Sequence, residues 1–543
     1  MKNSLLVVSA VLLAACSPAP QADMLLTAAS GEKCQNVGTV AFHKNRASSL
    51  SDNAVVIDMD ARRQTIDGIG SSLTESSAFI LACLPDSDRQ AVLQALFGQD
   101  GAAFPLARTQ IGSSDFSVEG LYSLCETPDD TLMTTFSLDR DKEGFSKAQY
   151  PQVQNEQYDL YHLMHDAYNL TPENARLKIV ANTWTAPDWM KDNHAYYQDH
   201  QHGARGGALL EKYYAAYARY MVKYLQAWRA EGIDIWAVTP VNEPQGNGGG
   251  WESMDFAPVP EAQFIAQHLG PQMEAAGFGD VDILGFDQNV FEGMPYAEAI
   301  YGNEEAKKYS AGLAVHWYGS TVSVYPETLD SMHNMAPDKK LIHTEGCIDN
   351  LGCPPWNGVT DPVGFVESGW FDNDAFWWQR VATDWAYSTP ADGGHHPKYA
   401  AAHRYASFII DGMNHWLTGF IDWNCVLDSL GGPNHVNNMA AAPIMVDYQP
   451  VAQGRPARIY YTPAYYVLKQ LSRTLRPGDV VLSSQCDNPD LHVLATAKAE
   501  GGYAVQVQNT SDSEMTFPLY IGAYKADITA PANSLLTLQF SKL

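Results

Sequence analysis

The sequence predicts an α/β protein, a (β/α)₈ barrel with an associated β-sandwich side domain. Three observations carry that expectation. Eight short apolar or β-branched runs alternate with amphipathic helical segments, and the runs repeatedly end in polar or aromatic residues. The two ends of the chain add short alternating runs with no barrel helix after them.

The eight runs are residues 65–73, 105–112, 177–184, 235–243, 281–289, 313–318, 340–345 and 417–424. The clearest helix between them covers 211–230, where Tyr213, Tyr217, Tyr220, Tyr224 and Trp228 recur every three or four positions. That spacing puts the five rings on one face, as core packing against a sheet requires. Catalytic groups of such a barrel sit where its strands end, at the C-terminal face. The run ends here read Arg108 with Asp115, Asn182-Thr183-Trp184, Asn242-Glu243, Asp287-Gln288-Asn289, His316-Trp317-Tyr318, His343-Thr344-Glu345 and Asp422-Trp423-Asn424. Polar side chains in that number are poor filling for a barrel interior, since each buried one needs a partner. Their concentration points to an enzyme.

At the C-terminal end, 491–496, 503–507 and 535–540 read as antiparallel strands, with a hairpin turn at Gly501-Gly502. Strand-like stretches between 38 and 59 are expected to complete the same sandwich. The domain expectation is a signal segment over 1–15 and a tether over 16–35. N-terminal sandwich strands come next over 36–64, then the barrel over 65–455 and the rest of the sandwich over 456–543. Lys2 and the apolar run 5–13 precede Leu13-Ala14-Ala15-Cys16. The apolar stretch is too short to span a bilayer, and the small residues after it suit an export signal. A cysteine at that junction resembles a bacterial lipoprotein signal, with Cys16 lipidated and the protein anchored to the envelope. Ordinary secretion with Cys16 discarded is the competing reading.

The chain has 543 residues, 45% of them hydrophobic, with 13 Trp and 28 Tyr. Those aromatics suit a core and sugar-stacking surfaces alike. A formal net charge of −28 repels nucleic acid and anionic polymers and favours a neutral substrate, although it also serves solubility. Seven cysteines follow Cys16 at wide spacing, which is neither a small disulfide scaffold nor a zinc motif. Whether Cys347 and Cys353 pair is open. His395-His396 lack metal-ligand spacing, no phosphate-binding loop or His-Glu-x-x-His helix occurs, and no cofactor is expected.

Retaining hydrolysis of a glycosidic bond takes two carboxyl groups about 5 Å apart across the anomeric carbon. Glu243 ends the fourth run and Glu345 the seventh, 102 positions later, so a closed barrel turns both toward one axial pocket. Asn242 is placed to donate to a sugar 2-hydroxyl, and Arg108 to hold Glu345 through charge-assisted hydrogen bonds; a merely packed interior arginine is the alternative. Trp184 and Trp423 are candidates for the apolar face of a pyranose, Asp115 and Asn434 for its hydroxyls. His316 and Tyr318 are expected to support the nucleophile by hydrogen bonds.

These residues bring the chain to a resemblance. It resembles glycoside hydrolase family 30, in particular the glucosylceramidase-like branch of those retaining β-glycosidases. The matching pieces are Asp67-Gly68-Ile69-Gly70, Arg108 with Asp115-Phe116-Ser117, the run from Trp184 to Lys191, and Asn242-Glu243-Pro244. They continue with His316-Trp317-Tyr318, Thr344-Glu345-Gly346-Cys347, Asp422-Trp423-Asn424, Gly431-Gly432-Pro433-Asn434 and Tyr461-Thr462-Pro463. The resemblance implies retaining chemistry with Glu243 as acid/base and Glu345 as nucleophile. It further implies that Asp115, Trp184, Asn242 and Trp423 contact the terminal sugar. Gly346 departs from the alanine expected beside the nucleophile. The segments 194–207 and 347–370 read as loops at the pocket mouth that shape the aglycone side.

The function expected is exo-acting hydrolysis of terminal β-glucosyl residues. The substrate would be a small β-glucoside, a glucosyl lipid or a glucan. An endo- or exo-β-1,6-glucanase is the alternative within the same chemistry. A non-catalytic carbohydrate-binding surface protein is the alternative outside it, and the intact carboxylate pair argues against that.

Overall fold

The computed structural model describes residues 19–45, 53–197, 206–245, 250–349, 370–379 and 400–542. Eight parallel strands close a barrel in chain order. They are β1 (Gly68–Leu73), β2 (Leu106–Gln110), β3 (Lys178–Asn182), β4 (Ala237–Thr239), β5 (Asp282–Asn289), β6 (Ser310–His316), β7 (Lys340–Glu345) and β8 (Leu417–Asp422). Each overlaps one of the eight runs read from the sequence. The aromatic stripe also takes the role expected of it. Tyr213, Tyr217, Tyr220, Tyr224 and Trp228 are all buried, and the helix Tyr214–Ala230 carries four of the five.

Inside the barrel, one layer of side chains is purely apolar: Leu106, Val180, Ala237, Leu284, Ala314, Ile342 and Ile421. Successive residues of a strand alternate faces, so the next inward position lies two residues further on. Those positions are Arg108, Asn182, Thr239, His316 and Thr344, all buried. Along its axis the barrel thus changes from hydrocarbon to polar groups within one pleat.

Strand β5 breaks the period of two. Phe286 and Asp287 have positive φ values of 76° and 65°, and the register against β6 slips between Ala314 and Val315. This is a bulge, an extra residue that re-aims the side chains beyond it. It turns Asp287, three residues after Leu284, into the polar layer. A second slip, between Val315 and His316 against β7, pairs Glu345 with His316. Both irregularities lie at the pocket end of the barrel.

The side domain is a ten-stranded sheet containing both chain ends. Its order is Gln35–Ala41, Gln21–Ala28, Ser534–Phe540, Tyr503–Asn509, Leu491–Ala497, Val480–Gln485, Val55–Thr65, Met515–Ile521, Tyr524–Ala530 and His43–Lys44. The sheet folds over on itself, so Tyr524–Ala530 lies against Tyr503–Asn509 and Ser534–Phe540 without pairing to either. Phe42, Val55, Leu482, Val505, Val507, Phe517, Leu519, Leu538 and Phe540 fill the space between the layers as a separate core. Gly501 and Gly502, at φ 96° and 94°, make the hairpin turn after Leu491–Ala497; only glycine adopts such a pair without strain.

Two boundaries differ from expectation. Residues 21–28, expected in a tether, form a strand paired along its whole length with Ser534–Phe540. Its other edge pairs with Gln35–Ala41, so Ala22, Met24 and Leu26 alternate with Gln21, Asp23 and Leu25 between a near and a distant partner. The helix Pro463–Thr474, expected within the sandwich, instead joins it to the barrel. From this helix the buried Gln470 donates to the Leu535 carbonyl and the Thr537 hydroxyl, both at 2.9 Å, and accepts from Thr27 Oγ1 at 2.7 Å. Cys16, Cys353 and His395-His396 lie outside the described residues, as do most of 194–207 and 347–370. No helix among the described residues is long and apolar enough to cross a membrane.

Candidate active site

The polar layer converges on Asp287. Its carboxylate is fully buried and meets four donors. Oδ2 accepts from Thr239 Oγ1 at 2.8 Å and Arg108 Nη2 at 3.0 Å, and Oδ1 from Thr344 Oγ1 at 2.6 Å and His316 Nε2 at 3.0 Å. Burial works against ionisation here, but Arg108 and His316 outweigh it and hold this carboxyl far below the usual range. Five strands, β2 and β4 to β7, supply the five groups of the knot.

From the knot two cations reach outward. Arg108 donates through Nη1 to Glu345 Oε2 at 2.5 Å and through Nη2 to Asn242 Oδ1 at 2.6 Å. Fixing the Asn242 oxygen in this way leaves its amide N–H groups for a ligand. His316 points Nδ1 at Glu243 Oε1, 3.4 Å away, and lies 3.9 Å from Glu345 Oε1. Burial alone would depress the imidazole; Glu345, Asp287 and Glu243 reverse that and push it up to about 9. The ring is an imidazolium at neutral pH, donating at both nitrogens.

Glu243 and Glu345 come together as the sequence reading required. One carboxylate oxygen of each and a ring nitrogen of His316 all lie within 4.8 Å of one another. The Tyr318 hydroxyl donates to Glu345 Oε1 at 3.0 Å, so Glu345 receives hydrogen bonds on both oxygens. Burial is the largest influence on its carboxyl and raises its proton affinity; His316 and Arg108 pull the other way, Glu243 and Asp287 add to it, and the result stays above the ordinary value. Glu243 sits in a left-handed backbone conformation, φ 48°, held by its N–H on the Asp287 carbonyl at 2.9 Å. Such strain in a residue with a Cβ persists where the surroundings over-determine it. The Glu243, His316 and Glu345 trio also has the spacing of a metal site. A metal there would bind the neutral imidazole, in competition with the proton that Glu345, Asp287 and Glu243 favour.

Trp184 and Trp423 form the wall of the site, stacked 5.0 Å apart at 27°. The Arg108 guanidinium lies over both, 4.8 and 5.4 Å from their rings. Asp115 is buried, next to the Phe116 ring that packs edge-on against Trp423. Its Oδ2 accepts from Asn438 Nδ2 at 2.9 Å, and its Oδ1 has no hydrogen-bond partner. Burial, with Glu345 next, pushes this carboxyl well above its usual range. A buried polar oxygen left without a partner is costly.

The Asn434 oxygen accepts from the Val436 and Asn438 N–H groups, while its nitrogen donates one hydrogen to the Asn438 carbonyl and keeps a second. Asn434 shapes the loop that presents Asn438, and Asn438 is the residue that reaches Asp115. Sequence reading missed Asn438 and the hub role of Asp287. The Asp287-Gln288-Asn289 string flagged the latter's position, but its inward direction depends on the bulge. Gly346 is explained by space: a Cβ there would lie 2.6 Å from the Trp317 ring.

A parallel barrel whose axial mouth holds two glutamates within 4.8 Å, beside a tryptophan wall, defines a retaining glycosidase. Residues 66–357 and 387–475 match the Glycosyl hydrolase family 30 TIM-barrel domain, and the chain belongs to that family. It is a retaining β-glycosidase, as the sequence resemblance implied. Lysosomal acid glucosylceramidase of Mus musculus is 26% identical over 484 residues, 88% of this chain and 81% of that one. Endo-1,6-beta-D-glucanase of Neurospora crassa is 26% identical over 452 residues, 82% and 78% of the two chains. Among solved structures, SrfJ from Salmonella typhimurium shares the fold with a TM-score of 0.77 at 23% identity, covering 96% of this chain and all of that one. An endo-beta1,6-glucanase does so with a TM-score of 0.70 at 24% identity, again over 96% of this chain.

The Asp287 knot generates a test. Asp287→Asn should keep the far-ultraviolet circular dichroism spectrum and lower kcat/KM on an aryl β-glycoside about 100-fold, since Arg108 and His316 lose the anchor that aims them. Stability has a definite sign as well. His316 is raised from an unfolded value of about 6.5, so its stabilisation is complete below that pH and is lost as pH rises through about 9. Asp287 stays ionised across this window in both states and adds no slope. The stability difference between wild type and Asp287→Asn, from denaturant titrations, should therefore shrink from pH 6.5 to 9. A constant difference contradicts the charge state assigned to His316.

Proposed function

We propose that the protein is an exo-acting β-glucosidase of the glucosylceramidase type, working by double displacement with Glu345 as nucleophile and Glu243 as acid/base. The observation that carries this is the trio of Glu243, Glu345 and His316 within 4.8 Å, with donors on both oxygens of Glu345. Glu345 is also the deeper of the two, its side chain 7% exposed against 18% for Glu243. A proton-exchanging group has to meet leaving group and water, which suits the more open carboxyl.

In the first step Glu243 gives its proton to the glycosidic oxygen. A Glu345 oxygen bonds to the anomeric carbon as the bond from that carbon to the leaving oxygen breaks. In the second, Glu243 takes a proton from water, whose oxygen displaces Glu345 and restores the configuration. Arg108 and Tyr318 bear on the charge that returns to Glu345 as it leaves. Asn242, its oxygen committed to Arg108, offers N–H to the sugar, and the Trp184–Trp423 wall offers an apolar face. Exo action is supported by Asp115. Its buried orphan oxygen would hold a hydroxyl of a terminal sugar. The glucosylceramidase relatives supply the choice of glucose and of an apolar or small aglycone.

A second reading, endo-β-1,6-glucanase, draws on relatives of that name matching 82% and 88% of the chain. Glu243→Gln and Glu345→Gln should each lower hydrolysis of an aryl β-glucoside by at least about 100-fold; near-normal rates in both would sink the assignment. Digestion of a β-1,6-glucan should release glucose alone or nothing, whereas a ladder of oligosaccharides would establish endo cleavage.

We also infer export with lipid attachment at Cys16, supported by the Leu13-Ala14-Ala15-Cys16 junction. Growth of a bacterial expression host on an alkyne fatty acid should label the wild type and not Cys16→Ser. An unlabelled wild type, secreted without residues 1–16, would refute it.

A further inference from the structure

Behind Asp115, three loops of the barrel face meet at one buried ion pair. Glu252 lies between β4 and the helix Pro258–Phe264, and His435 follows β8. Their side chains are 0% and 14% exposed, with Nε2 3.3 Å from Oε2. The third loop follows β2 and carries Asp115.

We infer that the Glu252–His435 pair is a positioning device for Asp115 that sets the enzyme's preference for one hydroxyl of the terminal sugar. The inference rests on the reading of Asp115 as a sugar ligand given above.

The pair grips the β2 loop at two points. Nδ1 of His435 is 2.9 Å from the Ser117 carbonyl, which also accepts the His435 backbone N–H at 3.0 Å. A carbonyl only accepts, so Nδ1 carries hydrogen while Nε2 faces a carboxylate. The ring is therefore placed as an imidazolium, in keeping with the upward push that Glu252 and Ser117 exert against burial. The far end of the segment is held by Glu252 Oε1, which accepts the Leu121 N–H at 2.8 Å. Between the two grips the ring packs directly on Gly120. This residue has φ +60°, and a Cβ there would fall 2.5 Å from the imidazole.

Asp115 sits in the turn that ends at Ser117, where the Ser117 N–H donates to the Ser114 carbonyl at 3.0 Å. Its Oδ2 is held from the His435 loop, by Asn438. The two loops that aim Asp115 are thus the two that His435 joins, and Glu252 ties both to the loop after β4. No atom of the pair is needed by the carboxylate chemistry at Glu243 and Glu345. What it fixes is the direction of the partnerless Asp115 Oδ1.

The test uses the full-length enzyme and compares kcat/KM for an aryl β-glucoside with its 3-, 4- and 6-deoxy analogues. Asp115→Asn should abolish most of the preference for one hydroxyl and thereby identify it. His435→Gln and Glu252→Gln should each cut the preference for that same hydroxyl about tenfold or more, with the rate on the matching deoxy analogue falling far less. Gly120→Ala, which displaces the ring without changing charge, should produce the same selective loss. An equal loss on all four substrates, or an unchanged ratio in His435→Gln, Glu252→Gln and Gly120→Ala while Asp115→Asn shifts it, overturns the positioning role alone. If Asp115→Asn shifts no ratio, the sugar-ligand reading itself fails and takes the inference with it.

Discussion

The site depends on one buried ion pair. Arg108 and Asp287, both fully enclosed, meet at 3.0 Å in the polar layer of the barrel. Removing either partner would leave a charge in a medium that cannot solvate it, so the pair behaves as a unit that fixes geometry. From it, Arg108 reaches Glu345 and Asn242, while Asp287 holds His316, which faces Glu243. The two glutamates come from strands on different parts of the barrel wall, and their separation is the reach of this network. Thr239 and Thr344 satisfy the remaining lone pairs of Asp287, so the knot contains no orphan that would loosen it.

The fold prepares that pair by a local departure from its own rule. Seven apolar side chains fill one layer, and on five strands the polar group comes two residues later, as alternation dictates. On β5 alternation would have sent Asp287 outward. The positive φ values at Phe286 and Asp287 insert one residue, and the carboxylate turns in. At Phe286, Asp287 and Glu243 the positive-φ backbone serves the site.

Much of this was legible in the sequence because strand ends announce themselves. An apolar run followed by Asn-Glu, His-Thr-Glu or Asp-Trp-Asn cannot be interior throughout, and a closed barrel brings such ends together. Arg108, Glu243, Glu345, Asn242, His316 and Tyr318 all fall where that reasoning put them. What it missed depended on backbone conformation or on distant partners. Asp287 is visible as a polar run end, but its inward direction depends on the bulge. Asn434 and Asn438 are both amides in one loop, and only the hydrogen bonds tell the loop-shaping residue from the one that reaches Asp115. Residues 21–28 alternate weakly and read as tether, since one of their two partner strands arrives more than 500 positions later. The helix Pro463–Thr474 has a periodicity that says nothing of which domain it covers, and it covers both.

In the proposed mechanism Glu345 attacks the anomeric carbon while Glu243 stands on the leaving-group side of the same sugar. Peptide mapping by mass spectrometry after incubation with a 2-deoxy-2-fluoro β-glucosyl fluoride tests it most directly. The expected result is a single glycosyl adduct on the peptide containing Glu345, assigned by fragmentation to that residue. An adduct on Glu243, on Asp115 or elsewhere would contradict it.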